Sequence, residues 1–125
     1  FLPRMPMHEV GNVLSGADVL LVHLRDDPLF KVTVPSKTQA YMAVGKPILM
    51  AVRGDAATLV ERAKCGLSVD PESSVEIARA VIAMSELRAD EVARMGGNGL
   101  DFYKNNLSLN AGVNEFIRVF NSVIK

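Results

Sequence analysis

Residues 34–52, VPSKTQAYMAVGKPILMAV, decide the fold class of this chain, because they join a helix to a buried strand through a short turn. Ser36 to Val44 is predicted as a helix that Gly45 and Pro47 end. The uninterrupted apolar run from Ile48 to Val52 predicts a strand that is covered on both faces. A helix that leads directly into a fully buried strand is typical of parallel βαβ architecture.

Strands and helices alternate on both sides of this stretch. A short apolar strand is predicted at 17–22 and another at 67–69, with a helix at 6–15 and a charged loop at 25–31. Between the last two strands, Asp55 is expected to cap a helix over 56–64 that Gly66 ends. Strands that alternate with helices through short connections predict an α/β fold, a Rossmann-like parallel sheet with helices on both faces.

Beyond Asp70 the chain is predicted to be helical throughout. Ser73 and Glu76 form a capping box for a helix that reaches about Leu87, and another helix begins near Ala89. Three glycines, at 96, 97 and 99, predict a kink or break in that second helix. The last segment carries an apolar stripe at helical spacing, made of Val113, Phe116, Ile117, Phe120, Val123 and Ile124.

The composition is that of one ordinary globular domain: 125 residues, 49% of them hydrophobic, with 14 basic and 14 acidic residues. Because its net charge is zero, the chain lacks the surplus of Lys and Arg that nucleic-acid binding requires. No apolar run approaches the roughly 20 residues that cross a bilayer. The single cysteine, Cys65, has no thiol partner within the chain, which fits a reducing cytoplasm. We therefore expect a cytoplasmic location and no nucleic-acid partner.

The start of the helix at Ser36 is the strongest candidate for a binding site. Ser36 and Gln39 fit a capping box, so the first-turn amides are expected to point into the crevice at the carboxyl ends of the strands. A helix N-terminus in that crevice favours an anion. Lys37 is disfavoured at the positive end of its own helix, and a residue that breaks a local rule at a crevice indicates an anionic ligand there. A merely solvated Lys37 is the alternative.

The distribution of charge supports the same place. Residues 25–53 carry about three surplus positive charges, contributed by Arg25, Lys31, Lys37, Lys46 and Arg53 against Asp26 and Asp27. Seven acidic residues face three arginines between Asp70 and Asp101. This uneven distribution, which the net charge of zero hides, predicts a basic crevice and an acidic back.

His23 is a further candidate, because it ends the first predicted strand, where side chains of α/β sheets meet ligands. A packed, hydrogen-bonded histidine is the alternative for the same position. No group of His, Cys, Asp or Glu residues has metal-ligand spacing, so no metal site is expected.

Three segments of the chain resemble a known family: VPSKTQAYMAVGKPIL at 34–49, RGDAATLVERAKCGLSVDPES at 53–73 and RMGGNGLDFYKNNLS at 94–108. Together they look like the carboxyl-terminal domain of a family 4, group 1 glycosyltransferase of the GT-B fold. Within that family the chain looks most like transferases of bacterial surface polysaccharide, of the O-antigen or colanic-acid type, with a fucosamine transferase as the nearest match.

The resemblance implies a domain that holds a nucleoside diphosphate sugar, with UDP as the expected nucleotide. The diphosphate would lie over the amides of residues 34–37, and Lys37 would offset its charge. Many members carry glutamates at the positions of Val32 and Ala40, the second of them bonded to the ribose, so Gln39 is expected to reach the ribose instead. The residues assigned to the candidate nucleotide-sugar site are Val34, Pro35, Ser36, Lys37, Thr38, Gln39, His23 and Arg53.

The resemblance also implies partners outside the sequence. Residues 1–125 would be the donor-binding domain of a longer protein, and the absent amino-terminal domain would bind a lipid-linked polysaccharide precursor, so this chain alone is expected to be inactive. Phe1-Leu2-Pro3 is typical of a strand end and fits a piece of a longer chain. The resemblance places the full-length protein at the inner membrane surface. No cofactor or metal is expected. The terminal stripe is expected to self-associate or to pack on the chain's own sheet.

Two other functions are weighed against glycosyl transfer. A phosphoacceptor receiver domain is suggested by Lys46-Pro47 and the acidic pair Asp26-Asp27 beside a parallel sheet, although His23 occupies the strand end where the acceptor aspartate belongs. A nucleotide-sugar epimerase would keep the fold and change the reaction.

Overall fold

The computed structural model describes residues 2–124, so the predicted strand end at 1–3 begins outside the described residues. The helices are α1 (Met7–Ser15), α2 (Pro28–Lys31), α3 (Ser36–Val44), α4 (Asp55–Ala63), α5 (Ser74–Ser85), α6 (Ala89–Phe102) and α7 (Leu109–Val123). The strands are β1 (Leu20–His23), β2 (Ile48–Ala51) and β3 (Gly66–Ser68).

The three strands form one parallel sheet in the order β1-β2-β3. Leu20 lies opposite Ile48, and Ile48 lies opposite Gly66, so the strands start level with one another. Helices cover both faces of this sheet. The predicted α/β, Rossmann-like class is confirmed.

Strand β2 is the centre of the core, because every one of its residues is buried. Ile48 and Met50 face one side and Leu49 the other, as a pleated strand requires. The cluster on the first side consists of Val22, Met42, Ile48, Met50, Val52, Ala56, Val60, Ala63 and Cys65. The second side is smaller and joins Leu49 to Ala80 and Met84 of α5.

Helix α3 ends as predicted but begins differently. Gly45 takes the left-handed conformation, with φ of +72°, and its N–H closes the helix. Ser36 is the first helical residue and caps nothing, so the capping box expected for Ser36 and Gln39 is wrong. Pro35 occupies the cap position, because its ring fixes φ and its carbonyl accepts the N–H of Thr38 at 2.9 Å.

Helix α4 also differs from expectation at both ends. Asp55 lies within its first turn and Gly54 precedes it, so Asp55 favours the helix through its charge and not as a cap. Lys64 ends the helix at φ of +51°, in place of Gly66. Gly66 instead begins β3, where a Cβ atom would lie 1.8 Å from the carbonyl oxygen of Ile48.

The glycines of α6 do not break it, so the predicted break is wrong. The helix is continuous, and Gly96 and Gly99 are buried where α6 crosses α3. A Cβ atom on Gly96 would lie 2.1 Å from the carbonyl oxygen of Gly45. These two glycines therefore serve close approach of two helices, while Gly97 faces open space.

The chain ends in a π-helical turn over Tyr103–Leu107 followed by α7. The predicted apolar stripe lies on α7, and no described residue of that helix is buried. The expectation that the stripe packs on the chain's own sheet is therefore wrong: Phe116 is 68% and Phe120 57% exposed. Among residues 2–124, no helix is long and apolar enough to cross a membrane.

Two neighbouring glycines of α6 provide a matched test of the helix crossing. Gly97→Ala should raise the free energy of unfolding by about 0.5–1 kcal/mol, because alanine loses less backbone entropy in a helix. Gly96→Ala should lower it by about 1–3 kcal/mol, because the added methyl meets the backbone of Gly45. Urea unfolding of both variants measures the two shifts. Equal shifts for the two would contradict the close contact between α6 and α3.

The exposed stripe predicts self-association through α7, since contiguous apolar patches bind other surfaces. Phe120→Glu should convert a wild-type dimer into a monomer in sedimentation. Its free energy of unfolding at high dilution should change by less than about 0.5 kcal/mol. Met42→Ala, at a fully buried position, is the control and should cost about 2–5 kcal/mol. A monomeric wild type, or a loss for Phe120→Glu as large as the control's, would contradict this assignment.

Candidate functional site

The carboxyl ends of the three parallel strands lie at one edge of the sheet, here called the carboxyl edge, where His23, Ala51 and Ser68 end their strands. Helix α3 ends beside the start of β2, because Gly45 and Pro47 separate the two elements. Its N-terminus therefore lies at the carboxyl edge, which is the position at which open α/β sheets bind ligands.

The first turn of α3 has free donors. The amides of Ser36 and Lys37 donate to no backbone or side-chain group among the described residues, as expected for the first amides of a helix. The side chains of Ser36, Lys37 and Gln39 are exposed. An anion at this position would therefore meet two backbone donors, the positive end of the helix dipole and an exposed ammonium group.

Thr38 differs from its neighbours in α3. Its side chain is fully buried, and its hydroxyl oxygen has no hydrogen-bond partner within residues 2–124. Its amide is engaged by the Pro35 carbonyl. Thr38 thus belongs to the underside of the helix, and the solvent-facing donors of the first turn belong to Ser36 and Lys37.

His23 is exposed and hydrogen-bonded. Its Nε2 accepts the N–H of Glu72 at 3.3 Å, which ties the end of β1 to the segment after β3. Glu72 in turn accepts the N–H of Asp26 through Oε2 at 3.0 Å. The structure thus shows the hydrogen bond of the alternative for His23 but not its packing, and contact with a ligand stays a prediction.

Arg53 is held by two aspartates. Its Nε and Nη2 bind the carboxylate of Asp70 in a bidentate pair, each at 2.8 Å, and its Nη1 binds Asp26 Oδ2 at 2.8 Å. The hydrogen bond from Arg53 holds the pKa of Asp70 below its usual value. The same bond, with the charges of Asp70 and Asp26, raises the pKa of Arg53.

Ion pairs with aspartates reduce the positive charge that the sequence indicates for the carboxyl edge. Lys31 and Arg53 both contact Asp26, and Asp70 reaches the edge that was expected to be basic. Lys46 precedes β2 and lies at the opposite edge. The predicted basic crevice and acidic back are therefore wrong. Lys37 keeps an exposed charge at the carboxyl edge, with no carboxylate in ion-pair range among the described residues.

Sequence reasoning missed the partners of Arg53, although the sequence contains a signal for them. Arg53 follows β2 by two positions, and Asp70 follows β3 by two positions. Since Met50 lies opposite Ser68 in the parallel register, Arg53 and Asp70 are offset by one position on adjacent strand ends, so their opposite charges are neighbours.

The positions that carry glutamate in many GT-B transferases are surface positions here. Val32 is 70% exposed and Ala40 is exposed as well, and because both side chains are apolar, neither offers a hydrogen bond to a ribose. The neighbouring Gln39 is an exposed amide on the same turn of α3. Gln39 as the ribose contact stays a prediction.

One large cavity lies away from this site. It measures about 660 Å³ and opens at the amino ends of β1 and β2, between residues such as Val19, Pro47, Met84 and Val92. A smaller crevice of about 350 Å³ lies at the carboxyl edge beside Arg53, and one of about 220 Å³ lies beside Val34. We place the candidate site at the carboxyl edge, because free amide donors and an exposed cation meet there. Residues 2–124 contain no cluster of three metal-ligating side chains.

The receiver alternative loses its structural basis. Lys46-Pro47 lies at the amino end of β2, whereas Asp26 and Asp27 follow the carboxyl end of β1. The lysine and the acidic pair are therefore at opposite edges of the sheet, and a phosphorylated aspartate could not reach that lysine.

The fold is that of a Rossmann-like domain, and an exposed helix N-terminus with two unpaired amides lies at its carboxyl edge. No family profile matches the chain. The chain is 30% identical, over 99 residues, to the probable glycosyltransferase WbjE of Pseudomonas aeruginosa. The matched region is 78% of this chain and 24% of that protein, so the chain spans about a quarter of the relative's length. The similarity supports a glycosyltransferase domain.

Proposed function

We propose that this chain is the donor-binding domain of a GT-B glycosyltransferase that transfers a sugar from a nucleoside diphosphate, UDP, to a lipid-linked polysaccharide precursor. One observation carries the proposal: the first turn of α3 presents two unpaired amides and the exposed Lys37 at the carboxyl edge. The similarity to a probable glycosyltransferase supports the same reaction class.

The diphosphate is the part of the donor that this geometry suits best. Backbone amides at a helix N-terminus bind phosphate oxygens, and the helix dipole favours their negative charge. Lys37 is disfavoured in the first turn of a helix without a ligand and favoured beside an anion. Binding therefore offsets a local electrostatic cost that the unliganded chain carries.

The same groups would serve the reaction as well as binding. When the bond from the sugar to the diphosphate breaks, negative charge builds up on the departing diphosphate. Preorganised amides and an ammonium group stabilise that charge without reorganising. The proposal assigns this role to residues 36–37 and assigns no metal to it.

The finer features of the donor rest on the resemblance. Gln39 would hold the ribose, because Val32 and Ala40 offer no polar group. His23 would face the crevice from the end of β1. The product would be a surface polysaccharide of the O-antigen or colanic-acid type, and the transferred sugar would be fucosamine.

The acceptor would bind to another part of a longer protein. The relative is about four times as long as the region that this chain matches, which leaves room for a second domain. The exposed stripe of α7 would be the contact surface for that domain, at the inner membrane surface in the cytoplasm. The 125-residue chain alone would then bind the donor and transfer nothing.

A titration of the chain with UDP tests the site. The amide resonances of Val34 and of residues 36–39 should shift at roughly millimolar UDP. Lys37→Ala should weaken binding by about 1–3 kcal/mol, since a charge-assisted hydrogen bond is lost. Its thermal stability should stay level or rise slightly, because a cation leaves the positive end of α3.

The matched control is Lys46→Ala, which removes a lysine from the opposite edge of the sheet and should leave the UDP affinity unchanged. Absence of any shift in residues 34–39 at several millimolar UDP, in a folded sample, would overturn the proposed site. Equal losses of affinity for Lys37→Ala and Lys46→Ala would show attraction by overall charge without a site at α3.

A further inference from the structure

We infer that Arg53 is a positioning residue. It holds in place the chain segment that leads to the N-terminus of α3, and it does not itself bind the nucleotide. The inference rests on the proposed function, because it concerns the same site. It also departs from the direct contact with the nucleotide sugar that the sequence predicts for Arg53.

Three of the five N–H donors of Arg53 are already bound to carboxylates. A guanidinium group has five N–H donors in one rigid plane. Three of its bonds reach two aspartates that lie on different segments, Asp26 after β1 and Asp70 after β3. The two bonds to Asp70 are parallel, and this fork geometry fixes the plane of the group. These three bonds leave one N–H donor on Nη1 and one on Nη2, and an anion that used them would lie beside the carboxylates of Asp26 and Asp70, which repel it.

The charge of Arg53 is also balanced locally. Asp26 and Asp70 together carry two negative charges, and Lys31 approaches Asp26 at 3.2 Å from the other side. The four groups form a neutral cluster, so Arg53 adds little attraction for an anion. It neutralises carboxylates that would otherwise repel a diphosphate at this edge.

The cluster controls the segment that leads to α3. Asp26 is held by its side chain, which binds Arg53 and Lys31, and by its N–H, which binds Glu72. The next residue, Asp27, caps α2 by accepting the N–H of Leu29 at 2.9 Å. The position of Arg53 therefore determines where α2 begins.

The end of α2 is held by the same turn that carries Arg53. A Cβ atom on Gly54 would lie 2.0 Å from the carbonyl oxygen of Lys31, so the backbone after β2 is in direct contact with the end of α2. Residues 32–35 then connect α2 to Ser36. Both ends of α2 are thus fixed by residues 53 and 54, and the first turn of α3 is the next element along the chain.

The backbone of Glu72 is strained in the arrangement that links the strand ends to α2. It adopts a left-handed conformation, with φ of +61°, which is uncommon outside glycine. Its N–H binds His23 and its carboxylate binds the N–H of Asp26. Segments from all three strand ends are therefore joined in one network, with Arg53 as its central cation.

Three variants of the 125-residue chain separate positioning from direct binding: Arg53→Lys, Asp70→Asn and the double substitution. A positioning role predicts that each single variant weakens UDP binding roughly three- to thirtyfold and that the double variant is no weaker than the worse of the two. Lysine should not rescue binding, because a point donor cannot bridge both aspartates. The amide resonances of Ser36 and Lys37 should move in both single variants before UDP is added.

A direct contact with the phosphate predicts the opposite pattern. Asp70→Asn would then leave affinity unchanged or raise it, because it frees the guanidinium group. Arg53→Lys would keep most of the affinity, and the unliganded amides of Ser36 and Lys37 would stay in place. Either of the first two results overturns the inference.

Arg118→Ala is the matched control. Arg118 forms an ion pair with Glu115 on the exposed face of α7. The substitution therefore removes an arginine–carboxylate pair that lies away from the carboxyl edge. It should change neither UDP affinity nor the amides of residues 36–37. If the wild-type chain binds no UDP, the proposed function fails, and the unliganded amide shifts alone then decide whether Arg53 positions α3.

Discussion

The complete burial of β2 between two layers of helices is the constraint on which the rest of the structure depends. A strand of Ile48, Leu49, Met50 and Ala51 has no polar face to offer to water, so it needs apolar cover on both sides. Parallel neighbours and helical crossovers provide that cover. They also bring the carboxyl ends of all three strands to one edge, where the first turn of α3 meets them. The candidate site is thus a consequence of how the core is built.

The parts of this fold that depend on local chemistry could be predicted from the sequence. The apolar run of β2, the left-handed Gly45 and the Ser73 cap of α5 are all present, with the Ser73 hydroxyl accepting the N–H of Glu76 at 3.3 Å. Each of them follows from a few neighbouring residues. The error at Ser36 is equally local, since Pro35 and Ser36 compete for one cap position and the proline, whose φ is already fixed, takes it.

The features that could not be predicted depend on which distant segments meet. Gly66 and Gly96 are set by the approach of another backbone, which helix propensity does not describe. The same is true of charge. Adding charges along residues 25–53 indicates a basic crevice, but Asp70 and Glu72 come from a segment that the sum leaves out. The first turn of α3 with the exposed Lys37 could be predicted, because a helix N-terminus is itself a local feature, and ligand binding there stays a prediction.

The central claim is that the Ser36 and Lys37 amides hold the diphosphate of a nucleotide sugar. A crystal structure of the chain with UDP tests it most directly. The account predicts phosphate oxygens within about 2.7–3.2 Å of both amide nitrogens, with the Lys37 ammonium group turned toward them and Arg53 still bound to Asp26 and Asp70. A diphosphate bound at the amino ends of the strands beside Lys46, or one held by Arg53 after release of its aspartates, would contradict it.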